Sequence, residues 1–194
     1  MRILELFSGT KSFSRVAESR GHKVTTIDWD IKSNPDILID VLDISINDID
    51  AFFGEKFDVI WASPPCTEYS RAKSQGLRDI KYANKIVKHT LKIIKKFNPK
   101  IWIIENPQTG LLKNQEFMKD LPFIDASYCK YGLPYKKQTR FWTNLIIKLE
   151  TCKKDCNFLV KGIRDKRHIG SAGTGGSCFR RPGSSWRSGR ARTN

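Results

Sequence analysis

Arg2-Ile3-Leu4-Glu5-Leu6-Phe7-Ser8-Gly9-Thr10 opens the 194-residue chain, and Val24-Thr25-Thr26-Ile27-Asp28 follows a short way on. Residues 2 to 7 read as a strand, and Ser8-Gly9-Thr10 as the turn that ends it. The spacing then predicts a helix from about Ser12 to Arg20, closed by Gly21 in a cap position. The β-branched residues 24 to 27 form a second strand, which stops at Asp28-Trp29-Asp30. Strand, glycine turn, helix, strand and carboxylate are the parts of a nucleoside-binding βαβ unit. In such a unit the amides at the helix start face the ligand and the acid takes ribose hydroxyls. One glycine serves any tight turn. The acid 19 residues beyond Gly9 is what adds to the reading.

The pattern repeats outward from there. Residues 36 to 41 suggest a short third strand, Asn47 to Phe53 a brief helix, and Phe57 to Ala62 a buried strand stopped by Pro64-Pro65. From Ile80 to Phe97, apolar residues recur at three- and four-residue spacing, which predicts a helix ended by Asn98-Pro99. Lysines fill its other faces. They could touch phosphates, but a lysine-rich face is ordinarily just solvated, and that is the reading taken. Lys100 to Ile104 is a continuous apolar strand running into Glu105-Asn106-Pro107, and β-like stretches follow at Phe123 to Cys129 and Arg140 to Ile147. Alternating strands and helices predict an α/β fold with a doubly wound, mainly parallel sheet. A single domain spanning residues 1–160 fits the length.

Composition narrows the partners. Net charge is +15, of which residues 161–194 carry +8 and the body +7, so a polyanion such as nucleic acid is the favoured partner. No apolar run approaches a membrane span and no secretory signal opens the chain, so a cytoplasmic, membrane-free protein is expected. Through residue 160 lysine outnumbers arginine 20 to 6, yet from Cys178 onward there are five arginines and no lysine among Gly, Ser and Pro. That segment is expected to be disordered. Either it is a basic nucleic-acid-binding tail, or the abrupt swap marks non-native coding sequence, the reading preferred. The five cysteines (Cys66, Cys129, Cys152, Cys156, Cys178) are too scattered for a disulfide framework. Cys152 and Cys156 form one C-x-x-x-C pair with no second pair after it, so no metal site is expected.

Cys66 lies just past the end of a strand, where such folds place their ligands, and two prolines stiffen the loop that carries it. On that stretch alone a small buried hydrophobe is an equal reading. Glu105 likewise follows a buried strand, a place where a carboxylate without a task or partner is uncommon.

Phe7-Ser8-Gly9, Asp28-Trp29, Asp43-Ile44, Pro65-Cys66 with Ser70, Glu105-Asn106 and Gln138-Thr139-Arg140 occur in the order found in the carbon-5 DNA cytosine methyltransferases. From Met1 to Leu149 the chain resembles that family. The resemblance implies a Rossmann-like methyltransferase fold with S-adenosylmethionine as cofactor. Phe7, Ser8 and Gly9 would form the cofactor turn. Asp28 would take the ribose hydroxyls, Trp29 would pack on adenine and Asp43 would accept from its amine, with Ile44 and Pro65 beside them. Cys66 is the implied nucleophile toward cytosine carbon 6. Glu105 would engage ring nitrogen 3 and the exocyclic amine, and Arg140 would contact the base. The implied partner is DNA with the target cytosine flipped out of the duplex.

The chain departs from the family in several places. Lys11 stands where the family has a second glycine, Pro107 follows Glu105-Asn106 in place of valine, and Trp142 replaces the second arginine of Gln-x-Arg-x-Arg. Only 45 residues follow Leu149, and none match the family's target-recognition or closing segments. A compact or truncated relative is expected. The competing readings are an RNA cytosine methylase and a catalytically weak nucleic-acid-binding or cofactor-sensing domain.

Overall fold

The computed structural model describes residues 1–54, 56–71, 73, 76–161, 166–168 and 170–171. Its centre is a seven-stranded sheet. The strands are β1 (Arg2–Leu6), β2 (Lys23–Asp28), β3 (Ile37–Leu38), β4 (Val59–Ala62), β5 (Ile101–Pro107), β6 (Phe123–Ser127) and, after a short β7 (Tyr135–Lys136), β8 (Gln138–Thr143). Spatial order is β3-β2-β1-β4-β5-β8-β6. The first five in that order run parallel, and β8 is antiparallel to both β5 and β6. This is the doubly wound, mainly parallel sheet expected of a Rossmann-like methyltransferase. Strand order reverses between β1 and β4, so the crevice beyond their C-terminal ends is the switch point where such sheets bind ligands.

Side chains alternate across the sheet and build two cores. Leu4, Leu6, Ile60, Ala62, Ile104 and Trp142 pack on one face with Val87 and Ile94 of the long helix α3 (Ile80–Phe97), while α2 (Ile49–Phe53) adds Ile49 to the same core. On the other face Ile3, Val59 and Ile103 meet Ala17 of α1 (Ser12–Ser19). There Phe13 stacks on Trp61 with ring centroids 4.2 Å apart. Helix α3 matches its predicted span because its ends are chemically fixed. The Asp79 carboxylate accepts from the Tyr82 N–H at 2.8 Å, and Asn98 closes the last turn in the left-handed region.

Several boundaries differ from expectation. The third strand is only two residues long, because the Asp40 side chain accepts from Leu42 N–H and starts a 3-10 turn over Val41–Asp43. Strand β5 continues through Pro107, and β8 starts at Gln138 and stops at Thr143, because each strand supplies the other's ladder partners. Residues 161–171, assigned to the tail, contain ordered pairing: β9 (Leu159–Lys161) pairs with β10 (Lys166–His168), and β11 (Gly170–Ser171) pairs with β7. The arginine-rich segment from Cys178 lies outside the described residues. Among the described residues no helix is long and apolar enough to cross a membrane.

Candidate active site

The first βα turn is built from unusual backbone. Phe7, Gly9 and Lys11 all have positive φ, at 62°, 49° and 55°. Lys11 therefore occupies the left-handed region in which glycine is at ease, at the place where the family carries its second glycine. The turn is tied to the second strand by Asp28, whose carboxylate accepts from Gly9 N–H at 2.8 Å and from Asp30 N–H at 2.9 Å. Asp28 is thus more than a strand terminator. Its two amide bonds leave lone pairs for further donors such as ribose hydroxyls. Trp29 beside it is 67% exposed, which excludes a core role and leaves an indole face free to stack.

Asp43 is exposed at the end of the Val41–Asp43 turn, while Ile44 is buried in the core and its carbonyl sits 3.0 Å from His89 Nε2 of α3. Ser8 is buried and its hydroxyl has no protein partner. Left-handed turn, orphaned hydroxyl, acid and bare indole at adjacent strand ends suit a nucleoside with a polar tail, so the residues present fit S-adenosylmethionine.

The second half of the site is carried by β4 and β5. Cys66 is a half-exposed free thiol on the loop after β4, and Pro65 before it is exposed. The loop is pinned from the neighbouring strand: Asn106 is buried, and its Nδ2 donates to the Pro64 carbonyl at 2.9 Å. Gly110 is needed close by, since a Cβ there would stand 3.1 Å from the Pro107 carbonyl and 3.4 Å from that of Tyr69. The Ser70 carbonyl, further along the loop, accepts from the Arg78 guanidinium at 2.6 Å.

Glu105 and Cys66 lie close enough for the carboxylate to bear on the thiol. Burial pushes the Cys66 thiol up, the Glu105 charge raises it further, and Lys137 opposes both. Lys137 Nζ lies 3.2 Å from Glu105 Oε1 and 4.7 Å from the Tyr128 ring centre. Burial favours the neutral amine, but the charge and hydrogen bond of Glu105 together with Tyr128 and Tyr135 outweigh it and hold the Lys137 ammonium above its ordinary range. Sequence reasoning does not single out Lys137. It stands directly before Gln138-Thr139-Arg140, and only β8 pairing on β5 brings it to Glu105.

The structure does not bring Arg140 to the Glu105 side of the sheet. Arg140 stands opposite Asn106 on β5 and opposite Asp125 on β6, whereas Glu105 stands opposite Phe141. Neighbouring residues of a strand face opposite sides, so Arg140 and Glu105 are on different faces. Its guanidinium grips Asp125 in two bonds, 2.7 and 2.8 Å, and lies 3.5 Å over the Phe123 ring. Thr139 is fully buried. Cys129, Cys152, Cys156 and His168 also converge, a cluster that sequence spacing does not assemble.

Comparison with known proteins bears on these geometries. The family described as C-5 cytosine-specific DNA methylase matches residues 1–121. A Frog virus 3 (isolate Goorha) protein named "Probable DNA (cytosine-5)-methyltransferase" is 34% identical over 160 residues, covering 75% of this chain and 71% of that protein. A protein described as a DNA modification methyltransferase encoded within a prophage (E. coli) superposes with a TM-score of 0.59 at 20% identity, over 74% of this chain and 46% of its own. The S. pombe Dnmt2 methyltransferase gives 0.56 at 18% identity, over 80% and 54%. The chain thus spans about half the length of these two solved relatives, whose likeness is one of fold.

Proposed function

This chain belongs to the C-5 cytosine-specific DNA methylase family, and on that premise we propose that it methylates carbon 5 of cytosine in DNA through a covalent adduct at Cys66. The observation that carries the reading is the approach of Cys66, on the loop after β4, to Glu105, near the C-terminal end of the adjacent parallel strand β5, close enough for the Glu105 charge to act on the thiol.

Carbon 5 of cytosine is too weak a nucleophile to take a methyl group unaided. Addition of the Cys66 sulfur to carbon 6 makes an enamine and loads electron density onto carbon 5. Burial, the larger effect, and the Glu105 charge both hold the free thiol protonated, so engaging Glu105 elsewhere removes one of the two obstacles to the thiolate. Glu105 engaging ring nitrogen 3 and the exocyclic amine does this while stabilising the charge that develops on the ring. Lys137, left facing the sulfur, favours its thiolate form. Asn106 fixes the Pro64-Pro65-Cys66 loop so that the sulfur need not search for its angle of attack. We assign Arg140 to holding β8 on β6.

S-adenosylmethionine, when bound, supplies an electrophilic methyl on a sulfonium. Asp28 would hold its ribose, Trp29 its adenine face, Asp43 its amine, and the Phe7-Ser8-Gly9 turn with Ile44 and Pro65 the remainder. Reaching the half-buried Cys66 thiol requires the cytosine to leave the duplex.

Mechanism-based trapping tests the proposal. DNA carrying 5-fluorocytosine should form a covalent complex, resistant to denaturation, only when cofactor is present, and Cys66→Ala should form none. A matched RNA oligonucleotide trapping faster than DNA would reassign the substrate. Equal binding by both protein forms with no adduct would leave a binding domain and overturn the enzymatic reading.

A further inference from the structure

We propose that Cys129, Cys152, Cys156 and His168 form a tetrahedral zinc site that fastens residues 151–161 and the strand Lys166–His168 to the edge of the sheet. One ligand atom from each of the four lies within 4.8 Å of all the others. In tetrahedral zinc sites, Zn–S bonds of about 2.3 Å and Zn–N bonds of about 2.0 Å put neighbouring ligand atoms roughly 3.5 to 3.8 Å apart. Cys152 Sγ and His168 Nε2 stand 3.4 Å apart, within about 0.1 Å of that spacing. Three sulfurs and one imidazole form a closed, soft donor set, which selects zinc over magnesium or calcium.

The ligands come from three separate pieces of backbone. Cys129 is buried in the 3-10 turn Tyr128–Tyr131 directly after β6. Cys152 and Cys156 bracket a tight turn with Lys154 at φ 65°. His168 arrives on the β9–β10 hairpin, opposite Leu159. Around the cluster, Cys152 N–H donates to Ser127 Oγ at 3.0 Å and Ser127 N–H to the Glu150 carbonyl at 2.9 Å.

The segment also needs such a fastening. From Asn144 through Leu159 no residue is buried, so apolar packing supplies little. Lys130 pairs with Asp155 at 2.9 Å, but a pair with an exposed carboxylate stabilises weakly. Metal ligation is a recognised substitute for a core in small segments of this kind. Two residues past His168, β11 pairs with β7, and Lys137 follows β7 directly. The clip thereby steadies the stretch that carries the cation facing Glu105.

The test uses the full chain purified under reducing conditions without a metal-affinity tag. Elemental analysis should find about one zinc per chain, unchanged in Cys66→Ala and below about a tenth in Cys156→Ala. Folding failure of that variant does not blunt the test. Co2+ added to the metal-stripped parent should give the intense visible bands and thiolate charge-transfer absorption of a tetrahedral site with three sulfur ligands and one nitrogen. Octahedral Co2+ spectra, visible absorption from iron and sulfide in the purified protein, or a cysteine pair two mass units lighter in the reduced preparation would each overturn the assignment.

Discussion

Glu5→Gln should stabilise the folded protein, and by more at pH 8 than at pH 5. Glu5 lies on β1 two residues before the Phe7-Ser8-Gly9 turn, is 3% exposed, and has one carboxylate oxygen with no partner. Burial pushes its pKa from 4.5 up to about 7, against the lowering effect of Ser14 and Lys11. A carboxyl raised in this way binds a proton more tightly folded than unfolded. Stability is therefore greatest below pH 4.5, falls as pH rises toward 7, and is level above that. The shift of roughly 2.5 units corresponds to about 3 kcal/mol lost at pH 8, against about 1 kcal/mol at pH 5. Glutamine keeps the shape and never ionises, so its advantage should widen by about 2 kcal/mol between those pH values. Urea unfolding of both proteins at pH 5, 6, 7 and 8 measures this, and the difference between them cancels the other titrating groups. A gap that stays constant with pH would mean that Glu5 is ionised in the folded protein, and would refute the reasoning.

Other perturbations read the site more directly. Asn106→Ala deletes the bond to the Pro64 carbonyl and should cost about 1–3 kcal/mol in stability. The freed Cys66 loop should also slow 5-fluorocytosine trapping at least tenfold; an unslowed rate would show that the prolines alone set the thiol. Lys11→Gly relieves a left-handed lysine and should raise stability by about 0.5–1 kcal/mol in thermal melts; a loss instead would mean that the lysine side chain makes up for its backbone. Asp125→Asn and Arg140→Lys each break the two-bond grip and should destabilise by about 1–3 kcal/mol while leaving trapping rates near those of the parent. Slower trapping in Arg140→Lys alone would restore Arg140 to the base.

The sequence by itself determined the parallel sheet, the span of α3, and the strand ends near Asp28 and Cys66. These follow from local rules: period-two and period-3.6 apolar patterns, and Gly or Pro where a strand must stop. It also placed Lys11 at the family's second glycine, though not the left-handed backbone that the lysine adopts there. Only the tertiary structure decided which side chains meet across strands. Glu105 and Arg140 look alike on paper as charged residues at strand edges, but antiparallel pairing of β8 on β5 puts them on opposite faces and delivers Lys137 to Glu105 instead. Cys129 lies 23 residues before Cys152, and no spacing rule joins them. The edge of β6 and the β9–β10 hairpin do, because register along a sheet is set by all its strands together and not by any one of them.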